Sequence, residues 1–462
     1  MKGSFHQTVS GVCVDLSYEG KGVFKAGDQT VFVPGMFIGE EGEVEIEYQR
    51  NGALFGVLRK LTKVSPDRIE PRCKICSSCG GCSFQQLSYP AQLSFKAKVV
   101  EEQFRKIAKM EIKAEPCLGM ETPYFYRNKI QMPFGKDRRG NVYCGFYKER
   151  SHVIVPVEQC YIEDEAAKPI LDEVKKLCSS LHIEPYVEAE HYGWLRHVMI
   201  RVGKYSGQVM VVLVGINDSF PKKDPFVRGL LKACPNITTI VQNINPARTN
   251  VILGERERVL YGPGKIKDTL CGLSFLISAK SFYQTNPVMT EVLYRAAIEA
   301  AKLTKDDVVF DAYSGIGTIG LVAAKSCKEV ISVEVIPEAV NDAKENAKRN
   351  GIENFLPYCA DASSFMVAMA KKKQGVDVLF MDPPRKGADE RFLKAALTLK
   401  PRRIVYVSCN PSTLARDVQY LSKSYAVENV QPVDLFPQTP HCETVVNLIF
   451  KTPNQSLSKH RI

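Results

Sequence analysis

The chain has 462 residues, 45% hydrophobic and 24% charged, and its 62 Lys and Arg outnumber 51 Asp and Glu to leave a net charge of +11. It is too long for one simple core and too apolar for a disordered chain, so about two to four domains are expected. The basic excess favours a polyanionic partner such as nucleic acid, and no run approaches the roughly 18 apolar residues of a membrane helix.

The N-terminal MKGSFHQTVS lacks the apolar centre of a signal peptide, so a cytoplasmic protein with reduced thiols is expected. Its 15 cysteines then read as metal, cluster, catalytic or packing residues rather than disulfides. Residues 1–62 carry short apolar runs (GVCVDL, GVFKA, TVFVPG, EVEIEY) separated by glycine turns. This pattern predicts a small β-barrel. Such barrels can bind RNA through strand faces and loops, and a purely structural appendage is the plainer alternative.

Residues 63–278 predict a central, mostly-β domain. It opens with CKICSSCGGC, which places Cys73, Cys76, Cys79 and Cys82 three apart, with Cys160 far downstream. Paired CxxC units suggest zinc, although zinc modules separate the pairs by about a dozen residues or more. A C-x2-C-x2-C run with a remote cysteine suggests a [4Fe–4S] cluster. Spacing alone leaves open which four of the five would bind. A helix is expected over 90–110, with Pro90 in its first turn and Ala97, Val100, Phe104 and Ile107 on one face, able to pack on the C-terminal domain. WLRHVMIRVG and GQVMVVLVG read as a strand pair. Arg127, Lys129, Arg138, Arg139, Lys148, Arg196 and Arg201 could meet phosphates or form a solvated face.

Residues 279–452 alternate strand and helix, the pattern of an α/β doubly wound parallel sheet, and 453–462 read as a frayed tail. The fold class expected is therefore multidomain: a small N-terminal β-barrel, a central mostly-β domain and a C-terminal α/β domain. Ligands in doubly wound sheets sit beyond the carboxyl ends of the strands. DAYSGIGTIG is such an end, where Gly315 and Gly317 would let backbone approach a ligand. Asp311, Glu334, Asp361 and Asp382 fall at four successive strand ends. Buried carboxylates are costly, and four would repel a pyrophosphate. A cationic, adenosine-bearing ligand such as S-adenosylmethionine fits them, with Glu334 on the ribose hydroxyls and Asp361 on the adenine amine. For any one acid, a capping or turn role is the plainer reading.

MDPPRKG (381–387), SCNPSTLARD (408–417), FYQTN (282–286) and PQTPHCETV (437–445) together resemble the RNA uracil-5-methyltransferase family. CSSCGGCSFQQL (76–87) is similar to its iron–sulfur members that act on large-subunit ribosomal RNA, and YRNK (126–129) and LRHVMIR (195–201) also match. The resemblance covers nearly the whole chain and implies a TRAM barrel, a cluster-bearing central domain and a methyltransferase domain. It implies S-adenosylmethionine contacts at Gln284, Tyr313, Glu334, Asp361 and Asp382, a nucleophile at Cys409 and a general base at Glu443. Thr318 departs from relatives that have Asn there. The family spacing selects Cys73, Cys79, Cys82 and Cys160 as cluster ligands and leaves Cys76 as an extra.

The chemistry accounts for the residue types. Carbon 5 of uracil becomes nucleophilic only after a thiolate adds to carbon 6, and cysteine can both add and leave. Cys409 precedes a helix starting at Pro411, whose positive end is expected to lower the thiol pKa. Glu443 would remove the carbon 5 proton. His441 reads as a loop histidine and Cys442 as packing. Arg385, after Pro383 and Pro384, would meet the substrate backbone or a local acid. The target base would be flipped out of a loop. Ribosomal RNA is the substrate that the cysteine run favours. Transfer RNA with the same chemistry is the near alternative, and a non-catalytic iron–sulfur RNA-binding protein the distant one. Cytosine-specific enzymes place a cysteine after the fourth strand's proline, where this chain has Arg385. No membrane and no obligate protein partner are expected.

Overall fold

The computed structural model describes residues 7–148, 151–188 and 190–451; the expected tail at 453–462 lies outside them. At the N-terminus β1 (Gln7–Leu16), β2 (Gly22–Ala26), β3 (Gln29–Val33), β4 (Glu41–Arg50) and β5 (Ala53–Lys63) form a closed barrel in the order β1-β2-β3-β5-β4. Alternation makes the barrel: β4 turns Gly42, Val44 and Ile46 inward, where the two apolar side chains meet Cys13, Phe24, Val31, Val33 and Met36. Its fifth strand opens on the apolar run ALFGVL, which is not among the expected runs, and most of these residues are half-buried.

After the cysteine segment comes α1 (Tyr89–Gln103), which runs into a π-helical turn at Phe104–Ala108. The chain then builds β6 (Lys129–Lys136), β7 (Val142–Tyr147), β8 (Ile154–Pro156), α2 (Ala167–Ser180), β9 (Leu195–Val202), β10 (Val209–Gly215), α3 (Lys223–Ala233), β11 (Ile237–Ile244) and β12 (Arg256–Tyr261). The strands form one seven-stranded sheet, β12-β11-β10-β9-β6-β7-β8, in which β9 and β10 pair antiparallel. Every residue of β9 and β10 is buried, and their alternation splits between two cores. Val211 and Leu213 pack with Ile170, Val174 and Leu230 of α2 and α3. Met210, Val212 and Val214 face the other way, into the core that also holds Leu293, Tyr294 and Val309 of the C-terminal unit. The central sheet therefore has no solvent face along these strands.

A hairpin of β13 (Ile266–Leu270) and β14 (Leu273–Ile277) leads to α4 (Pro287–Ala301). The alternating unit follows: β15 (Val308–Ala312), α5 (Thr318–Ala324), β16 (Glu329–Glu334), α6 (Pro337–Arg349), β17 (Phe355–Cys359), α7 (Ala362–Lys372), β18 (Val378–Met381), α8 (Glu390–Leu399), β19 (Arg403–Ser408), α9 (Pro411–Leu421), β20 (Tyr425–Val433) and β21 (Glu443–Phe450). The sheet order is β17-β16-β15-β18-β19-β21-β20. The first five strands are parallel, while β21 runs antiparallel to both β19 and β20. This corrects the all-parallel expectation: the hairpin closing the chain inserts its second strand beside β19. Strand order reverses between β15 and β18, which opens the ligand crevice there.

α1 packs against α9 in the second large core, where Val100 and Phe104 meet Leu414 and Val418. Beside this contact lies an ion pair between Lys96 and Asp434, both fully buried. Asp434 also accepts from Tyr89 OH at 2.9 Å and from Phe436 N at 3.1 Å. Lys96→Met leaves Asp434 buried and unpaired, which costs about 3–5 kcal/mol. The urea midpoint is expected to fall accordingly, and to recover most of that loss in Lys96→Met/Asp434→Leu. Equal midpoints for Lys96→Met and the parent would show the pair to be energetically idle.

Candidate active site

At the end of β15 the backbone enters the left-handed region at Tyr313 (φ 61°), Gly315 (φ 56°) and Gly317 (φ 80°). The two glycines serve different ends. A Cβ on Gly317 would lie 2.7 Å from the Phe355 ring, so Gly317 is required by packing, whereas a Cβ on Gly315 would meet nothing within 4 Å. Beneath the turn Asp311 is buried and accepts from Gly320 N at 3.0 Å. Burial, then the charges of Asp382 and Glu334, push its carboxyl up to about 8 against the pull of the Gly320 bond.

Gln284, Tyr313, Gly315, Asp311 and Asp382 line one narrow cleft, with exposed Phe282 at its mouth. Asn128 Nδ2 anchors the Gln284 carbonyl at 3.1 Å, so the central sheet sets that wall. Tyr294 OH meets Thr318 Oγ1 at 2.7 Å behind the turn, which gives Thr318 a structural partner. Glu334 ends β16 and joins the rim, since its carboxylate accepts from the N–H groups of Gly315 (2.9 Å), Val335 (2.9 Å) and Ile336 (3.0 Å). Asp361 is placed differently. Its Oδ1 caps α7, accepting from Ser364 N (2.8 Å) and Ser364 Oγ (2.7 Å), and these bonds hold its carboxyl below the usual range. The structure brings Gln284, Tyr313, Asp382 and Glu334 around the cleft; Asp361 is a helix cap outside its lining.

Cys409 follows the last residue of β19, and Glu443 is the first of β21. Ser408 pairs with Thr444, so Cys409 and Glu443 come next outward on adjacent antiparallel strands. Glu443 is buried and its carboxyl is raised well above the ordinary value, first by burial, then by Asp382 and Cys442, with Arg385 opposing. Burial alone lifts Asp382 to about 7. Cys409 is half-buried and its thiol is pushed up to about 11 by burial, then by Glu443 and Asp382, with Arg385 opposing. This corrects the expectation of a thiol acidified by α9. The helix end is already capped by the Asn410 side chain, which accepts from Ser412 N at 3.1 Å, and burial, with two carboxylates behind it, pushes the thiol the other way. Asn410 Nδ2 and Thr413 Oγ1 both bond the Arg385 carbonyl (2.9 and 3.2 Å), tying the DPPR turn to the start of α9. Burial and the cations Arg385 and Lys96 lower the His441 imidazole, favouring its neutral form.

The cysteine segment gathers free thiols: Cys73 is buried, and Cys76, Cys79, Cys82 and Cys160 are half-buried. Burial pushes Cys82 up to about 12, reinforced by Cys79, Cys73 and Cys76; Cys160 is raised by burial, Glu163 and Cys82. Among the described residues no group of three or more His, Cys, Asp or Glu could hold a metal ion, so the zinc reading finds no support. Residues that sequence reasoning missed are Tyr18, Lys96 and Gln438. Tyr18 reaches from the barrel to Asn410 Oδ1 at 3.0 Å. A tyrosine in a turn and a lysine on a helix carry no sequence signal for such roles.

The model of the tRNA (Uracil-5-)-methyltransferase family matches residues 265–451. Proteins described as uncharacterized RNA methyltransferases match across the chain. That of Halalkalibacterium halodurans is 44% identical, over 95% of this chain and 96% of that protein. That of Oceanobacillus iheyensis is also 44% identical, over 95% and 96%. The crystal structure of Pyrococcus abyssi tRNA (uracil-54, C5)-methyltransferase in complex with S-adenosyl-L-homocysteine matches with a TM-score of 0.78 at 27% identity, over 96% of this chain and 100% of that one.

Two pH-dependent outcomes follow from the site. Alkylation of Cys409 by iodoacetamide, tracked by peptide mass, is expected to be slow at pH 7 and to rise towards pH 11. Glu443→Gln removes a neighbouring negative charge and is expected to shift that profile to lower pH. Asp382 titrates near 7 when folded against an ordinary 3.8, so its protonated form stabilises the fold below that range and the contribution is lost as pH rises through 7. Asp382→Asn should therefore raise the thermal midpoint of the ligand-free chain more at pH 8 than at pH 5. An equal shift at both would contradict the buried carboxyl.

Proposed function

The chain belongs to the RNA uracil-5-methyltransferase family, and on that premise we propose that it transfers the methyl group of S-adenosylmethionine to carbon 5 of a uridine in RNA. The observation that carries this reading is the meeting of Cys409 and Glu443 on adjacent strand ends, with Asp382 close enough to raise both.

In this reading the Cys409 thiolate adds to carbon 6 of the flipped base, forming an S–C bond and moving the ring's C5=C6 electron pair to carbon 5 and its carbonyl. Carbon 5 takes the methyl group, whose bonding pair stays on the departing sulfur of the sulfonium. The Glu443 carboxylate then accepts the carbon 5 proton. That C–H pair re-forms the ring double bond as the S–C6 bond breaks and returns the thiolate. Gln284, Tyr313 and Glu334 hold the cofactor, and Asp382 faces its cation. Asp361, through the Oδ2 that capping leaves, is the adenine contact. A resting thiol near 11 fits the same scheme: burial raises it most, and a sulfonium beside Asp382 offsets one of the two charges that add to that effect.

The family resemblance would make Cys73, Cys79, Cys82 and Cys160 the ligands of a [4Fe–4S] cluster, although among the described residues they are not gathered closely enough to hold a metal ion. They are free thiols from two chain segments, and the three with raised pKa values resist ionisation without a bound cation. A cluster's ligands each bind a different iron and surround more space than single-ion ligands do. Bound there, the cluster would tie the two segments together, since methyl transfer needs no electrons.

Large-subunit ribosomal RNA is the substrate favoured by the CSSCGGCSFQQL resemblance. A second reading, transfer RNA, draws support from the Pyrococcus abyssi enzyme. That enzyme matches 96% of this chain, which leaves fewer residues unmatched than the barrel contains, so a barrel alone does not separate the two substrates. The barrel would bring TRAM-like RNA contacts, with aromatic and basic side chains together. Tyr48 and Phe55 stack at 4.9 Å, and Lys21 lies 5.8 Å from the Phe55 ring centre.

Labelled S-adenosylmethionine is expected to yield 5-methyluridine in unmodified ribosomal RNA and not in transfer RNA, read by nucleoside mass; label in transfer RNA alone selects the second reading. Cys409→Ala should abolish transfer and retain cofactor binding, whereas normal turnover by that variant would defeat the mechanism. Adding S-adenosylmethionine should speed Cys409 alkylation at pH 8 more than neutral S-adenosylhomocysteine does. Equal effects of the two would argue against charge compensation at Asp382.

A further inference from the structure

Glu443 is reached through a loop, residues 434–442, that its own sheet does little to hold. Four consecutive carbonyls of that loop accept from outside the β20–β21 hairpin. Leu435 O accepts from Asn286 Nδ2 (3.1 Å), Phe436 O from Lys96 Nζ (3.1 Å), Pro437 O from Tyr126 OH (3.0 Å), and Gln438 O from both Ser83 N and Phe84 N (3.0 Å each). The last two donors immediately follow Cys82.

Gln438 is the best-held of these residues. It is buried, and its backbone is left-handed at φ 70°. Its N–H donates to Gln92 Oε1 at 3.0 Å, while Gln92 Nε2 donates back to Gln438 Oε1 at 3.1 Å. Gln92 Nε2 also reaches the carbonyls of Phe84 (3.0 Å) and Leu87 (2.8 Å). Gln438 Nε2 extends to Pro123 O at 3.4 Å. Two buried amides thus close on each other and on the backbone that leaves the cysteine segment. A left-handed residue is uncommon outside glycine and persists where its surroundings over-determine it.

We infer that Gln438 is a positioning residue for Glu443, and that Gln92 and the Ser83–Phe84 backbone hold it in register with the cysteine segment. The step it governs is removal of the carbon 5 proton, because the loop leads to the base and not to Cys409, which β19 and α9 fix separately. A rearranged cysteine segment withdraws two donors from Gln438 O and loosens the approach to Glu443. This rests on the reading of Glu443 as the base and of Cys73, Cys79, Cys82 and Cys160 as cluster ligands. It goes beyond that reading by giving the cysteine site a defined mechanical output.

The test uses the full-length chain with Gln438→Gly, which keeps the positive φ and the backbone partners and deletes the side chain, and Gln92→Leu. Single-turnover methyl transfer is compared with release of tritium from 5-tritiated uridine, and with RNA–protein adduct that survives denaturation. Methyl transfer should stay within a few-fold of the parent, while tritium release slows by about 10- to 100-fold, the usual effect of a displaced catalytic group, and adduct accumulates. Parallel loss of both rates, or loss of neither, would overturn the inference. Glu443→Gln run beside them separates the failures: adduct there but in neither Gln variant sinks the positioning role alone, whereas no adduct there sinks the base assignment beneath it. The coupling is read without activity. Amide hydrogen exchange over 434–442 should speed up in Cys82→Ser relative to the parent, and unchanged exchange refutes the link to the cysteine segment.

Discussion

The buried ion pair between Lys96 and Asp434 is the contact on which the catalytic half of the molecule depends. Two charges removed from water rarely add net stability over an apolar pair of the same size, so stability does not explain it. Its use is directional. The Lys96 ammonium bonds Asp434 and the Phe436 carbonyl, and Asp434 answers with Tyr89 and the Phe436 N–H. Apolar side chains would fill this space without fixing the rotation of the loop. Here α1, together with Asn286, Tyr126 and the Ser83–Phe84 backbone, fixes the loop's path between β20 and β21, and with it the place where β21 begins.

The crevice beyond β15 and β18 collects buried carboxyl groups. Asp311, Asp382 and Glu443 are all lifted by burial, and each of the outer two is also lifted by a neighbouring carboxylate. Arg385 is the cation that acts against this field, and it is exposed. Such a site is destabilised while empty and stabilised by a positive ligand, which is the direction expected where function sets local electrostatics against the fold. The Cys409 thiol lies in the same field, so its reactivity and the charge of the occupant are linked.

Sequence reasoning reached the parts of this molecule in which local pattern and chemistry coincide. The barrel, the strand–glycine–helix turn and the position of Cys409 before α9 are all local facts, written in alternation, positive φ and helix starts. Asp361 was legible as an acid after a strand, and its second task, capping α7 through Ser364, shows only in the structure. The acidity of Cys409 went the wrong way because the helix after it is visible in sequence, while its burial and its closeness to Glu443 and Asp382 are set by other strands. Gly317 looked like a ligand-approach glycine, and its reason is the Phe355 ring from the next-but-one strand. Lys96 sits among Phe95, Ala97 and Val99 with nothing to distinguish it from the solvated lysines nearby. Tertiary partners hundreds of residues away decide each of these, and no single-segment pattern encodes them.

The Lys96–Asp434 contact spans 338 positions and the Gln92–Gln438 contact 346. Contacts of that separation close very large loops and are disfavoured early in folding, when local turns and neighbouring strands form first. The order of assembly is thereby constrained. The alternating sheet can gather its parallel strands while the final hairpin is still unformed, but the segment that carries Glu443 docks only onto an α1 already in place. A chain halted before its last strand would hold a complete nucleophile and an incomplete base, so catalytic competence arrives with the closing residues of the fold rather than gradually along it.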